Sequence, residues 1–549
     1  MKIFNLLLIK PSHYDDDGYV IQWLRSGIPS NTLAVLYGLA SDSAERRVLG
    51  EDVEIRITAM DETNTRVEVK KLVRMLRRSG GRSLVCMVGV QSNQFPRAMD
   101  IARPFRRENV NVCIGGFHVS GIIAMLPELT PELQEALDLG ISLFAGEAES
   151  RFDALIRDAW RDELKPVYNY IGDLANIEGA PVPIMPANII KKNAGAVTSV
   201  DAGRGCPFVC NFCSIINVHG HKSRFRTPDD IERIVRANNA QGIHRIFITD
   251  DNFARNKNWE PILDRLIELR EKEGLRANLY IQADAQSDRI PRFIEKCVAA
   301  GVKRVFIGLE SINPKNLAAA NKKQNRVSEF RRNLLAWRDA GVFTDVAYII
   351  GFPDDTPESI RQDVATLHRE LPMERLEFSV MTPLPGSQNH KDMYLNGEYM
   401  DPDLNKYDLY HATAGHPKMS GAELQRSYQQ AWADYYSEEN IITYLKRARA
   451  GGVSMGKILG STVVYYLVAT LEDIHPLEAG VIRRKYRKDR RPGLPIESPS
   501  LFYSKYAWTI VYKYGSALLT LWKFSRVRKR LDADPGSKNY TDRAITEGE

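Results

Sequence analysis

The chain opens on Ile3-Phe-Asn-Leu-Leu-Leu-Ile9, and short apolar runs recur at Val53–Ile57, Ser83–Val90, Val110–Gly115 and Ile141–Ala145. Between them, apolar positions repeat every three or four residues, as in Arg66–Arg78 and Pro96–Glu108. Short, near-continuous apolar runs read as strands buried on both faces, and the longer spacing reads as amphipathic helix. Their alternation predicts a parallel, doubly wound sheet over residues 1–150. Ligands of such sheets bind beyond the carboxyl ends of the strands. Those ends here are Gly89-Val-Gln-Ser92, Gly115-Gly116-Phe-His118 and Gly146-Glu147.

Residues 151–195 read as a linker, stiffened by Pro181, Pro183 and Pro186. A second series follows over residues 196–390. Its expected strands are Val197–Asp201, Arg245–Thr249, Leu279–Gln282, Arg304–Gly308, Val346–Gly351 and Leu376–Thr382. Helices are expected at Pro228–Gln241, Trp259–Glu273, Pro291–Ala300 and Val327–Ala340. Six such units predict a (β/α)6 partial barrel of the TIM type, with functional groups at the C-terminal strand ends. Residues 391–549 turn helical. Ser420-Gly-Ala-Glu423 is a capping box that starts a helix running to about Tyr436, and Gly456–Glu472 is a second apolar helix.

Composition narrows the function classes. With 44% hydrophobic and 26% charged residues the chain is an ordinary globular protein, neither disordered nor fibrous. Its net charge of +6 is unevenly placed. Residues 441–549 hold 20 Lys and Arg against 10 Asp and Glu, leaving the first 440 residues slightly acidic. That body gives no reason to expect nucleic acid as a partner. The N-terminal apolar run is stopped by Lys10-Pro11 without a cleavage site, and reads as a buried strand rather than a signal peptide. A cytoplasmic location is expected.

Three of the six cysteines fall within eight residues, in Arg204-Gly-Cys206-Pro-Phe-Val-Cys210-Asn-Phe212-Cys213, directly after the first barrel strand. Clustering of this kind points to metal chemistry rather than disulfides. The C-x3-C-x2-C spacing suits three irons of a cubane with a fourth iron open. A zinc site completed by His219 or His221 is the alternative.

With Phe212 before the last cysteine, the motif resembles that of the radical S-adenosylmethionine (SAM) superfamily. The resemblance implies a [4Fe–4S] cluster on Cys206, Cys210 and Cys213, whose open iron holds SAM and cleaves it reductively to a 5′-deoxyadenosyl radical. Further landmarks follow the later strands: Asp250-Asp251, Glu310-Ser311, Gly351-Phe-Pro and Met381-Thr-Pro-Leu-Pro-Gly386. The resemblance therefore implies SAM contacts at Phe212, Asp250, Asp251, Glu310, Ser311 and Gly351. The preceding sheet is similar to the cobalamin-binding domain of B12-dependent members of the family. It implies cobalamin contacts at Ser92, Gly115, Gly116, Gly146 and Glu147. His118-Val-Ser-Gly121 spells HxxG, but Gly116 stands where the DxHxxG motif has Asp, so His118 is expected to shape a loop rather than bind cobalt. Cys86 and Cys113, in apolar runs, are expected to be core cysteines, which argues against a second cluster.

The fold class expected is thus α/β: a Rossmann-like cobalamin-binding domain, a radical SAM partial barrel and a helical C-terminal region. The activity implied is cobalamin-dependent methyl transfer to an unactivated carbon of a small, hydrophobic molecule. A radical SAM cyclase or rearrangement enzyme is the alternative, and a non-catalytic zinc or cobalamin sensor a third reading. Such chemistry needs an external electron donor such as flavodoxin or ferredoxin. In the tail, Tyr503–Phe524 mixes aromatics with Lys505, Lys513 and Lys523 and runs into Arg526-Val-Arg-Lys-Arg530. Such a helix suits either a peripheral contact with the inner face of a membrane or packing against the enzyme.

Overall fold

The first apolar run becomes the second strand of a six-stranded, wholly parallel sheet. In the computed structural model, which describes residues 2–322 and 324–546, the strands are β1 (Lys2–Lys10), β2 (Val53–Asp61), β3 (Arg82–Met87), β4 (Asn111–Gly115), β5 (Ser142–Ala145) and β6 (Val167–Asn169). Their order is β2-β1-β3-β4-β5-β6. Successive side chains of a strand point to opposite faces, so each run fills two cores. Leu7, Ile9, Val85 and Met87 meet Phe95, Ile101 and Phe105 of helix Phe95–Arg107 on one side. Phe4, Leu6, Leu8 and Cys86 meet Leu33, Leu36 and Leu39 of helix Asn31–Glu45 on the other. Cys86, Cys113 and Cys297 are buried, and burial pushes the Cys113 thiol up to about 12.

The stretch expected as a linker contributes more than a connection. Phe152, Leu155, Ile156 and Ala159 share one face of helix Phe152–Arg161 and join the second core, as does Tyr168 of β6. Spacing of three and four residues in that helix carries the signal. Strand β6, three residues long, is too short to show a period.

All six strands of the second series form: β7 (Val197–Val200), β8 (Arg245–Ile248), β9 (Asn278–Ala283), β10 (Val302–Glu310), β11 (Phe343–Ile350) and β12 (Arg375–Val380). The chain divides into two compact units. The first comprises Met1–Ala277, Pro383–Tyr407 and Gly480–Pro495, and the second Asn278–Thr382, Asp408–Ala479 and Ile496–Glu549. In the first unit β7 and β8 pair in parallel. In the second, β9 to β12 pair in sequence, all parallel. At the N-terminal ends of β10 to β12, Asp345 forms ion pairs at 2.6 Å with Arg304 and with Arg375. These charges close the floor and leave the opposite strand ends for chemistry.

The helical region of the second unit holds Gly421–Tyr435, Glu438–Ala450, Met455–Leu467 and the 35-residue helix Pro499–Ala533. The expected capping box forms, with Ser420 Oγ accepting from Glu423 N–H and the Glu423 carboxylate accepting from Ser420 N–H. Among the described residues, no helix is long and apolar enough to cross a membrane.

Candidate active site

The cysteine loop follows β7 and is closed at its base by a two-residue antiparallel ladder of Gly203–Arg204 with Arg224–Phe225. Acidic side chains pin its base. Asp250, just beyond β8, accepts the backbone N–H groups of Ala202 and Gly203 through one oxygen, both at 2.7 Å, and the Asn256 amide through the other at 2.8 Å. Burial drives the Asp250 carboxyl up to about 7 against those three donors. Its neighbour Asp251 accepts Gly205 N–H at 2.7 Å and lies 3.3 Å from His219 Nδ1. Gly205 has φ +91°, and a Cβ there would stand 2.3 Å from the Lys222 carbonyl oxygen. Only glycine fits that crossing. Cys206 N–H then reaches the Gly220 carbonyl at 3.3 Å, and Cys213 N–H closes a turn on Cys210 at 3.2 Å.

The donor set fits an iron–sulfur cluster. Three cysteine thiols sit on one short loop, and Cys210 and Cys206 both add to the upward shift that burial gives Cys213, to about 12. Among the described residues, no three His, Cys, Asp or Glu side chains gather around one ion position. A cubane takes one thiolate on each of three irons and leaves the fourth open, which three cysteines spaced C-x3-C-x2-C supply. Phe212 is half-buried in the same loop, and Val209 is exposed at its tip.

The loop is stitched to the carboxyl ends of the first sheet by two arginines. Arg204 pairs with Glu149 at 2.5 Å, Asp201 at 2.9 Å and Glu147 at 3.2 Å. Arg224 grips both oxygens of Glu147 at 2.6 and 2.7 Å, and donates to the carbonyls of Ala175 and His219. Burial alone would push the Glu147 carboxyl up, but Arg224, Arg204 and His219 hold it at about 2. Asp201, also buried, is held at about 2 by Arg204 and Arg226. Glu147, expected to face a ligand, therefore has both oxygens committed to the protein. Spacing gave no hint of this, because Arg224 lies 77 residues away.

The other strand ends of that sheet are equally built in. Ser92 Oγ is 3.1 Å from His118 Nδ1, and His118 is buried against the Phe95 ring, with Nε2 3.4 Å from Glu132. Gly116 has φ +150°, and a Cβ on it would stand 2.2 Å from the Val90 nitrogen. Gly115 lies 3.1 Å, by the same measure, from the Phe144 carbonyl oxygen, and Gly146 3.0 Å from the Tyr170 carbonyl carbon. These glycines let the strand-end loops cross one another.

In the second unit, Glu310 ends β10 in a left-handed conformation, φ +66°, and pairs with Lys322. Ser311 is fully buried, and its Oγ accepts Asn313 N–H at 3.0 Å. Gly351 ends β11 at φ +102°. Asp355, unnoticed in the sequence, joins the two strand ends. It accepts from Gly351 and Phe352 N–H at 2.9 and 3.0 Å and from the Asn316 amide at 2.6 Å. A non-glycine residue with positive φ at a strand end is the kind of strain that marks functional sites.

Residues 200–367 match the radical SAM superfamily. The bacteriochlorophyllide d C-8(2)-methyltransferase of Chlorobaculum tepidum is 27% identical over 380 residues, which is 65% of this chain and 79% of that protein. The cobalamin-dependent SAM radical enzyme OxsB shares the fold with a TM-score of 0.56 at 14% identity, over 98% of this chain and 81% of OxsB. The radical SAM methyltransferase TsrM of Kitasatospora setae does so at 0.53 and 16%, over 71% of this chain and 76% of TsrM. In the first unit a doubly wound sheet in flavodoxin-like strand order precedes the cysteine loop. The chain thus carries a radical SAM domain over residues 200–367, within a fold shared with OxsB.

Proposed function

We propose that the protein is a cobalamin-dependent radical SAM C-methyltransferase acting on a small, hydrophobic molecule. When bound, the cofactors would supply reductive cleavage of SAM and a methyl group carried on cobalt. The chain's own residues do the rest. Cys206, Cys210 and Cys213 hold the cluster. Phe212, Asp251, Glu310, Ser311 and Gly351 are assigned to SAM, and Asp250 fixes the loop backbone from beneath. Ser92, Gly115, Gly116 and Gly146 shape the cobalamin crevice, while Glu147 acts through its ion pairs.

One observation carries this reading: Arg204 and Arg224 tie the cysteine loop to the carboxyl ends of β5 and its neighbours, where doubly wound sheets bind their ligands. The residues that would hold the cluster and those that would hold cobalamin are thereby joined within one unit. An external reductant of the flavodoxin or ferredoxin class completes the system. Methyl transfer is favoured over ring closure because the bacteriochlorophyllide d C-8(2)-methyltransferase of Chlorobaculum tepidum resembles this chain over 79% of its own length.

Anaerobic reconstitution with iron, sulfide, cobalamin and SAM, followed by dithionite reduction, tests the proposal. Formation of 5′-deoxyadenosine together with S-adenosylhomocysteine is expected. Production of 5′-deoxyadenosine without S-adenosylhomocysteine, in the presence of a consumed substrate, would refute methyl transfer.

A further inference from the structure

Helix Pro499–Ala533 packs on the second unit along one side only. Phe502 and Phe524 are buried beneath it, and Lys513 pairs with Glu472 at 2.9 Å. The opposite side is open. At about 100° per residue, Leu501, Trp508, Tyr512 and Leu519 fall in one line, with Val511, Leu518 and Trp522 beside it. All seven are exposed, Trp508 at 71% and Leu518 and Leu519 at 68%. Side chains of this size rarely stand in a continuous row facing water, and such a stripe marks an interaction surface.

The charges around the stripe identify its partner. The helix carries seven basic residues, Lys505, Lys513, Lys523, Arg526, Arg528, Lys529 and Arg530, against one acid, Asp532. Arg526, Lys529 and Arg530 are exposed and extend the apolar line at its C-terminal end, with Arg526 stacked 4.0 Å over the Trp522 ring. Two copies of this face would leave Arg526, Lys529 and Arg530 without acidic partners, because the helix itself offers only Asp532. An anionic lipid surface instead accepts both components, the apolar row entering the acyl boundary while Lys and Arg stay with the headgroups. The helix is too polar to span a bilayer, which leaves it in the plane of the interface.

We propose that helix Pro499–Ala533 docks the protein on an anionic lipid bilayer through the Leu501–Trp522 stripe, with Arg526, Lys529 and Arg530 on the headgroups. This surface is independent of the cysteine loop and would serve an enzyme whose substrate dissolves in lipid. Trp and Tyr along the stripe match the preference of these rings for the water–hydrocarbon boundary.

Co-sedimentation of the full-length protein with vesicles containing phosphatidylglycerol, and with pure phosphatidylcholine vesicles, tests the proposal across a salt series. Strong binding to the anionic vesicles that weakens with salt is expected, because headgroup attraction is screened within a Debye length. The triple variant Arg526→Gln, Lys529→Gln, Arg530→Gln should bind about a hundredfold more weakly at low salt, at about fivefold per charge. The double variant Trp508→Ser, Leu519→Ser should lose binding to both vesicle types with an unchanged thermal melt, since neither side chain is buried. Absence of vesicle binding at low salt would overturn the proposal. So would a lipid-free dimer, seen by light scattering, that the double variant dissociates.

Discussion

Replacing Arg224 with Gln asks directly whether the cysteine loop is held to the first sheet by charge. The Glu147 side chain is 3% exposed, and Arg224 engages both of its oxygens. Its carboxyl lies at about 2 rather than 4.5 because Arg224 and its neighbours outweigh burial. A depression of that size corresponds to about 3 kcal/mol of folding stability. Breaking a buried pair from one side typically costs about 3–5 kcal/mol. Glu147 keeps Arg204 at 3.2 Å and the Ala175 N–H at 2.9 Å, so the lower end applies. The expected loss at neutral pH is about 3 kcal/mol.

The pH dependence distinguishes charge from mere packing. A carboxylate with a depressed native pKa contributes its full stability above the unfolded value, near 4.5, and loses it as pH falls toward about 2. The gap between wild type and Arg224→Gln should therefore be widest at neutral pH and narrow below about pH 4. Urea unfolding of the apo-protein, followed by circular dichroism across that range, measures it. Adding Glu147→Gln to Arg224→Gln should recover part of the loss, because no uncompensated charge stays buried. A gap that does not change with pH, or a double variant as unstable as the sum of the singles, would refute the reasoning.

Three further outcomes are expected. Alanine at Cys206, Cys210 and Cys213 together should abolish the iron–sulfur absorbance and reductive SAM cleavage, as read by 5′-deoxyadenosine formation. Gly116→Ala places a Cβ 2.2 Å from the Val90 nitrogen and 2.5 Å from its carbonyl oxygen, so overpacking should cost about 1–3 kcal/mol in a melt and lower cobalamin retention on gel filtration. Asp250→Asn should gain stability relative to wild type as pH rises from about 4 to about 7, because a carboxyl raised to about 7 by burial destabilises the native state once it must ionise. Unfolding curves at the two ends of that range check the sign.

The elements legible in the sequence are those whose signal is local. Alternating apolar runs and helical spacing place all the strands of both expected series, and the helix at Trp259–Glu273 begins and ends where the pattern says. The cysteine spacing is local too, as are Ser420 and Glu423 in their capping box. What escaped depends on partners far apart in the chain. Glu147 follows a strand of a ligand-binding sheet, and an acid in such a place reads as a ligand contact. Its oxygens are held by Arg224, 77 residues on, inside a stretch whose basic residues carry no pattern. Gly116 reads as room for a large ligand, yet the space beside it is filled by Val90. Asp355 looks like a loop acid and is the joint between two barrel strand ends. In each case the protein itself engages the residue: polar groups near such a site fix loops, because a buried carboxylate with free oxygens is costly until something claims them. An acid at a strand end therefore points to the site's position more securely than to its own contact with a ligand.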